Sequence, residues 1–261
     1  MPPVDVLWST SGVDEDQASQ LRPIRIDGDT VTRPAQVWTP TVHCFLRHLL
    51  ATGLSGVPEP LGIDGDIERL RFLPGESGGD GWYHQHSDVG LRSAARLLRR
   101  VHDASRGWEP PAGAVWGCPP GRGTVVCHGD PGPWNFIWDG DDAVGLVDWD
   151  FAHPGDPIED VAYALKWFAP LRPDDLALSW HHFPEVPDRR HRVAVFLDEY
   201  GDVGDLDLVD AVVASTESTM AHERSLAEAG VEPQRTWVAE GHLDDMAAEL
   251  AWLRANRHLV D

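Results

Sequence analysis

The chain of 261 residues is short of positive charge and holds a single lysine, Lys166. Lysine and arginine together number 21 against 43 aspartates and glutamates, which gives a formal net charge of −22. A surface of that sign repels a phosphate backbone and an anionic membrane, so we expect no nucleic acid and no membrane among the partners. Any chemistry that needs a lysine at another position is also excluded.

Cysteine is scarce as well, and the chain has no long apolar run. Cys44, Cys118 and Cys127 are an odd number and form no Cys-x-x-Cys pair, so neither a disulfide framework nor a zinc ribbon is indicated. No stretch approaches the roughly 20 apolar residues of a membrane span, and no targeting signal is visible. With 42% hydrophobic and 25% charged residues, the composition predicts a folded cytoplasmic protein.

Strand patterns dominate the first part of the chain. Two pairs of short apolar runs flank turns at Asp27-Gly28-Asp29 and at Asp64-Gly65, which is the pattern of β-hairpins. One helix lies between the hairpins; Thr39 or Thr41 can cap it, and Gly53 ends it. This order predicts a small lobe of strands around one helix.

The sequence pattern changes near residue 75, where glycines and a proline interrupt both strand-like alternation and helical spacing. Helical spacing dominates afterwards, with candidate helices over residues 158–168, 188–200, 206–228 and 235–257. We therefore predict an α+β protein of two lobes. A small β-rich N-terminal lobe covers residues 1–75, and a larger, mainly helical C-terminal lobe covers residues 76–261.

Side chains with oxygen donors cluster between residues 128 and 150. Asp130 follows an apolar strand, Asn135 comes five positions later, and Asp148 ends the next hairpin. Such oxygen donors suit Mg²⁺, which takes one or two carboxylates from a protein and fills its shell with water and phosphate oxygens. Two of the three could hold the metal while the third faces a hydroxyl. Each aspartate alone would be read as a turn or cap residue, and only the joint arrangement points to chemistry.

Three motifs follow one another over residues 125–165: His128-Gly129-Asp130-x4-Asn135, Val147-Asp148-Trp149-Asp150 and Gly155-Asp156-Pro157-x2-Asp160. Together they resemble the aminoglycoside phosphotransferase family, which shares the protein-kinase-like fold with choline kinases. The resemblance implies an enzyme that moves the γ-phosphoryl group of ATP or GTP, with Mg²⁺, to a hydroxyl of a small molecule.

The resemblance also implies roles for particular residues. Asp130 matches the catalytic-loop aspartate that accepts or orients the proton of the acceptor hydroxyl, while Asn135 and Asp148 match the metal ligands. Asp150 is expected either to support the site or to face the acceptor. His128 is expected to anchor the loop through hydrogen bonds, with a role as general base as the alternative.

The first part of the chain departs from the kinase pattern. Such folds place a lysine on the third strand against the nucleotide phosphates, and Arg33 is the matching position here. The following helix has no acid between residues 40 and 53 to pair with that cation, and presents His43 instead. Phe72 and Leu73 match the hinge strand, whose backbone groups would bind the nucleobase.

These departures leave a second hypothesis open, a non-catalytic binding or immunity protein that sequesters a toxic or signalling ligand. Residues 17–22 show no glycine-rich phosphate loop, which supports it, whereas the intact second-lobe ligands favour catalysis. A further open question is a window of acids that is either a solvated surface or a field attracting a cationic acceptor. Its members are Asp198, Glu199, Asp202, Asp205, Asp207 and Asp210.

Overall fold

The computed structural model describes residues 23–204 and 207–260. The expectations for residues 17–22 and for Asp205 lie outside these residues. The first described part is an antiparallel sheet of β1 (Arg25–Asp27), β2 (Thr30–Pro34), β3 (Pro60–Asp64) and β4 (Ile67–Arg71), in the order β1-β2-β4-β3. Both predicted hairpins are confirmed, and each turns at a glycine with a φ of 61°, a conformation that costs glycine little.

Helix α1 (Thr39–Ala51) joins the two hairpins. Neither Thr39 nor Thr41 caps it, because both lie within its first turn and Trp38 precedes it without a side-chain cap. Their hydroxyl oxygens accept hydrogen bonds from outside the helix instead, from the N–H groups of Gln36 and Val115. The expected threonine cap is therefore wrong. The apolar stripe of α1 is buried and comprises Val42, Phe45, Leu46 and Leu49.

The remaining part is mainly helical, with two short strand pairs, β5 with β8 and β6 with β7. Its elements are α2 (Gly81–His84), α3 (Asp88–Ser105), β5 (Val125–Cys127), β6 (Phe136–Asp139), β7 (Asp142–Leu146), β8 (His153–Gly155), α4 (Pro157–Phe168), α5 (Asp174–Ser179), α6 (Arg189–Tyr200), α7 (Leu208–Glu228), α8 (Gln234–Ala239) and α9 (His242–Ala255). The single helix expected over residues 235–257 is two helices, because Gly241 adopts a left-handed φ of 95° between them.

The two parts share one hydrophobic core. Phe45 of α1, Leu98 of α3 and Phe168 of α4 belong to the same buried cluster. The chain after β4 also pairs with β6, since Glu76 and Trp138 exchange backbone hydrogen bonds of 2.9 and 2.8 Å. A small sheet with one helix, joined to a larger helical part, confirms the predicted α+β class; the boundary near residue 75 stays a prediction. None of the described helices is long and apolar enough to cross a membrane.

Candidate active site

Asp160 of α4 anchors the loop between β5 and β6. Its carboxylate oxygens accept hydrogen bonds from the backbone N–H groups of His128 (2.6 Å) and Gly129 (2.8 Å). The ring of His102 in α3 donates a third, from Nε2 at 3.0 Å. Burial alone would raise the pKa of Asp160, but the bonds and charge of these neighbours hold it below its usual range. The start of the loop is therefore held in place by a side chain of α4.

Asp160→Asn is expected to lower the free energy of unfolding by about 3 kcal/mol, because an amide places N–H donors against the backbone N–H groups that Asp160 now satisfies. Denaturant unfolding of the purified variant measures this. Asp156→Asn is the matched control, since Asp156 caps α4 through its side chain and asparagine caps helices equally well. Equal unfolding free energies for the two variants would contradict the anchoring role.

The His128 ring holds the same loop from the other side. Its Nδ1 accepts from the N–H of Asp130 at 3.2 Å, and its Nε2 donates to the carbonyl of Val147 at 2.8 Å. These partners specify a neutral ring, in agreement with burial that lowers the pKa of His128 to about 4. Both nitrogens are engaged with the backbone, so the ring acts as the expected anchor and is not placed as a general base.

Asp130 lies at the end of this loop and is 7% exposed. Its Oδ2 accepts from Asn135 Nδ2 at 2.8 Å and from Trp134 Nε1 at 3.4 Å. Its Oδ1 is buried and has no hydrogen-bond partner at normal distance among the described residues. Burial raises the pKa of Asp130 to about 6, against the lowering effect of hydrogen bonding from Tyr163, Trp134 and Asn135. A buried carboxylate oxygen that lacks a donor is suited to accept one from a ligand hydroxyl.

Asn135 and Asp148 lie on adjacent backbones. The N–H of Val147 donates to the carbonyl of Asn135 at 2.9 Å, which places Asp148 one residue beyond the pairing. Asn135 directs its Nδ2 to the carbonyl and to Oδ2 of Asp130, so its amide oxygen is the atom left for a cation. Asp148 has a left-handed backbone with a φ of 63°. This pair of oxygen donors fits the ligand chemistry of Mg²⁺.

Arg33 of β2 reaches the same place from the sheet. Its Nη1 donates to Asp148 Oδ1 at 3.1 Å, and its Nη2 donates to Asp150 Oδ1 at 3.0 Å. Its Nε donates to Glu68 Oε2 at 2.5 Å. Although burial opposes the charge, the carboxylates of Asp150, Glu68 and Asp148 raise the pKa of Arg33. The structure thus brings together Arg33, Asp148 and Asp150, three of the residues singled out in the sequence.

Sequence reasoning missed Glu68, which supplies the acid that α1 lacks. Burial alone would raise the pKa of Glu68, but the hydrogen bond from His43 and the charge of Arg33 lower it. Glu68 lies on β4, directly opposite Arg33 in the register of β2 and β4. A signal was present, because strand alternation puts Glu68 on the same buried face as Leu70.

The other predicted residues are placed as follows. Asp150 accepts from Arg33 and, at 3.3 Å, from Trp38 Nε1, so its Oδ1 faces the sheet side of the site. The N–H of Phe72 donates to the carbonyl of Asp29 at 2.8 Å, which leaves its carbonyl and the backbone of Leu73 for a nucleobase. The roles of Asp150, Phe72 and Leu73 stay predictions.

Four acids of the acidic window pair with arginines. Asp198 pairs with Arg92 at 2.7 Å and Glu199 with Arg96 at 2.7 Å, on exposed helix surfaces. Arg257 pairs with both Asp207 and Asp210. This pairing favours the interpretation of the window as a solvated surface, and the attraction of a cationic acceptor stays a prediction. Ion pairs between exposed side chains change the free energy of folding little, and arginines lie close enough to pair with these acids.

A small cavity lies among α4, α7 and α9. Its volume is about 30 Å³, room for about two water molecules. Tyr163 of α4 lines it, and the same side chain lowers the pKa of Asp130, against the raising effect of burial. Glu249 in its wall is matched by Arg172 at 2.9 Å. Glu223 Oε2 is buried without a hydrogen-bond partner among the described residues, and His242 Nε2 is 3.4 Å away.

The sheet, the anchored loop and its oxygen donors define a kinase-like phosphotransferase fold. A solved structure of spectinomycin phosphotransferase APH(9)-Ia, in complex with ADP and spectinomycin, has this fold with a TM-score of 0.55 at 8% identity, covering 94% of this chain and 97% of that one. Residues 112–196 match the sequence profile of the phosphotransferase enzyme family, APH.

Two relatives are similar in sequence. The trifolitoxin immunity protein of Rhizobium leguminosarum bv. trifolii is 35% identical over 182 residues, 67% of this chain and 68% of the relative. Viomycin phosphotransferase of Streptomyces vinaceus is 34% identical over 128 residues, 48% of this chain and 42% of the relative. The chain belongs to the phosphotransferase enzyme family.

Proposed function

We propose that this protein transfers the γ-phosphoryl group of ATP or GTP to a hydroxyl of a small molecule. The observation that carries the proposal is the buried Oδ1 of Asp130, which lacks a hydrogen-bond partner among the described residues. Asn135 bonds the other oxygen of the same carboxylate, and Asp148 follows the residue whose backbone pairs with Asn135. Asp130 would accept the hydroxyl proton as the oxygen attacks the phosphorus, and ADP or GDP would leave.

In this proposal the metal and the nucleotide lie between the two lobes, residues 1–75 and 76–261. Asn135 and Asp148 would hold Mg²⁺, which neutralises phosphate charge when bound. Arg33 would lie against the phosphates, and the backbone of Phe72 and Leu73 would contact the base. Catalysis would consist of positioning and charge neutralisation.

We place one group of the acceptor in the cavity beside Tyr163, because this side chain connects the cavity to Asp130. A cavity of this size accommodates one functional group and not a whole acceptor. Glu223 offers that group an unsatisfied carboxylate oxygen, which suits an amine or a hydroxyl. Lys166 and Arg172 line the same cavity and balance the charge of Glu223 and Glu249, so a hydroxyl group fits it as well as an amine does. A cationic, amine-bearing acceptor stays a prediction, and so does a contact with Asp150.

The test is a screen of hydroxylated small molecules, spectinomycin and viomycin among them, incubated with Mg-ATP or Mg-GTP. We expect at least one acceptor to gain the mass of a phosphoryl group only when nucleotide and protein are both present. Heat-denatured protein is the control. Absence of phosphorylated product across the screen, together with absence of nucleotide hydrolysis, would contradict the proposal.

A second candidate is a non-catalytic immunity protein that sequesters a ligand. It is favoured by the 35% identity to a trifolitoxin immunity protein. Nucleotide binding with slow hydrolysis separates the two functions, because a sequestering protein needs neither. Ligand binding that is unchanged by nucleotide and by Asp130→Asn would favour this second candidate.

A further inference from the structure

Glu68 connects helix α1 to Arg33 through both of its carboxylate oxygens. Its Oε2 accepts from Arg33 Nε at 2.5 Å, and its Oε1 accepts from His43 Nε2 at 2.8 Å. All three side chains are buried, with residue exposures of 1% for Glu68, 2% for His43 and 7% for Arg33. A carboxylate oxygen only accepts, so His43 carries its proton on Nε2.

The orientation of Arg33 depends on this contact. Arg33 and Glu68 face each other across β2 and β4, so the sheet itself sets their pairing. With Nε held by Glu68, the planar guanidinium directs its two terminal nitrogens at Asp148 and Asp150, 3.1 and 3.0 Å away. Without that anchor, only the two terminal nitrogens would hold the guanidinium, through Asp148 and Asp150.

We propose that Glu68 and His43 are positioning residues that hold Arg33 where the nucleotide phosphates bind beside Asp148. The inference rests on the proposed function, because the ligand is the phosphate chain of ATP or GTP. Helix α1 carries no acid, so the anchoring of the cation is divided between a strand glutamate and a helix histidine. Glu68 acts through Arg33 and contacts neither phosphate nor acceptor.

The test is a double-mutant cycle on binding of Mg-ATP and Mg-GTP by the full chain. Arg33→Ala and Glu68→Gln are each expected to weaken binding by about tenfold or more, the effect of losing a hydrogen bond to a charged group. Because Glu68 acts through Arg33, the double variant should bind no more weakly than Arg33→Ala alone. In turnover, Glu68→Gln should raise the KM for nucleotide and leave the KM for the acceptor unchanged.

A second pair of variants leaves Arg33 and Glu68 in place and tests the contribution of His43. These variants keep the proposal testable even if Glu68→Gln does not fold. His43→Gln keeps an N–H donor toward Glu68 and should bind nucleotide almost as the wild type does, whereas His43→Leu removes the donor and should weaken binding. Glu59→Gln is the matched control, because Glu59 pairs with Arg71 at 3.2 Å on the exposed side of the same sheet. It should leave binding unchanged.

The outcomes separate the two proposals. A folded Glu68→Gln variant with wild-type nucleotide affinity, or a double variant weaker than Arg33→Ala by the full Glu68→Gln effect, overturns the positioning role and leaves the proposed function standing. Equal nucleotide binding by His43→Gln and His43→Leu overturns the positioning role of His43. A wild type that binds nucleotide in a Glu68-dependent way but transfers no phosphate overturns only the proposed function. A wild type that binds no nucleotide overturns both.

Discussion

Replacing Asp130 by asparagine is expected to slow phosphotransfer by about a hundredfold to ten-thousandfold, the contribution of a positioned group to proton transfer. The amide keeps the size of the side chain and an oxygen for Asn135 Nδ2, which now bonds Asp130 Oδ2 at 2.8 Å. It removes the negative charge, and it puts an NH₂ group, which cannot accept a proton, in place of the unpartnered Oδ1. Nucleotide binding should stay close to that of the wild type.

The measurement is single-turnover phosphotransfer, or nucleotide hydrolysis where no acceptor is at hand, with nucleotide titration on the same preparation. Asp139→Asn is the control, since it makes the same chemical change at an exposed position on the following strand. It should keep the wild-type rate. If Asp130→Asn retained more than about a tenth of that rate, Asp130 would not be the proton acceptor.

The second large effect is expected at Asp148 and Asn135, the proposed metal ligands. Asp148→Asn should weaken Mg²⁺-dependent nucleotide binding by about a hundredfold, because even groups that only support a metal ligand contribute tenfold to a hundredfold. Asparagine is the informative replacement. Asp148 has a φ of 63° and a ψ of 69°, and asparagine is among the few residues that adopt this left-handed conformation readily. The change therefore removes charge without forcing the backbone to move.

Nucleotide titration with and without Mg²⁺ measures this effect. Asn135→Ala should show the same loss with Mg²⁺, and both variants should approach the wild type when the metal is chelated. Asp139→Asn again serves as the control for a neighbouring carboxylate of no assigned role. Normal Mg-nucleotide binding by Asp148→Asn, or a wild type indifferent to Mg²⁺, would place the metal site elsewhere.

The loop groups were predictable because the geometry that unites them is local. Asn135 precedes β6, and the hairpin of β6 and β7 returns the chain so that Val147 pairs with Asn135. Strand alternation and the turn after Asp139 are enough to predict that return. The same applies to Asp156, whose helix cap depends only on the residues that follow it.

The acid that pairs with Arg33 lies on a strand and not on the helix where the kinase pattern places it. Glu68 is 35 positions away in the chain and meets Arg33 only because β2 and β4 are neighbours in the sheet. The hairpin patterns predict β3 against β4 and β1 against β2, but they do not say which strand of one hairpin adjoins the other. The absence of an acid from α1 therefore suggested that Arg33 lacks an acidic partner, whereas the structure pairs Arg33 with Glu68.

By itself, the sequence determined the small sheet, the loop after β5 and the oxygen-bearing side chains of that loop, because strands, turns and caps depend on neighbouring residues. It also determined the charge of −22, but not where that charge acts. Only the tertiary structure decided that Asp198 pairs with Arg92 on the surface, that Glu68 pairs with Arg33, and that Tyr163 links Asp130 to a cavity. These contacts join residues far apart in the chain, and their energies depend on burial and on distance, which local periodicity does not encode.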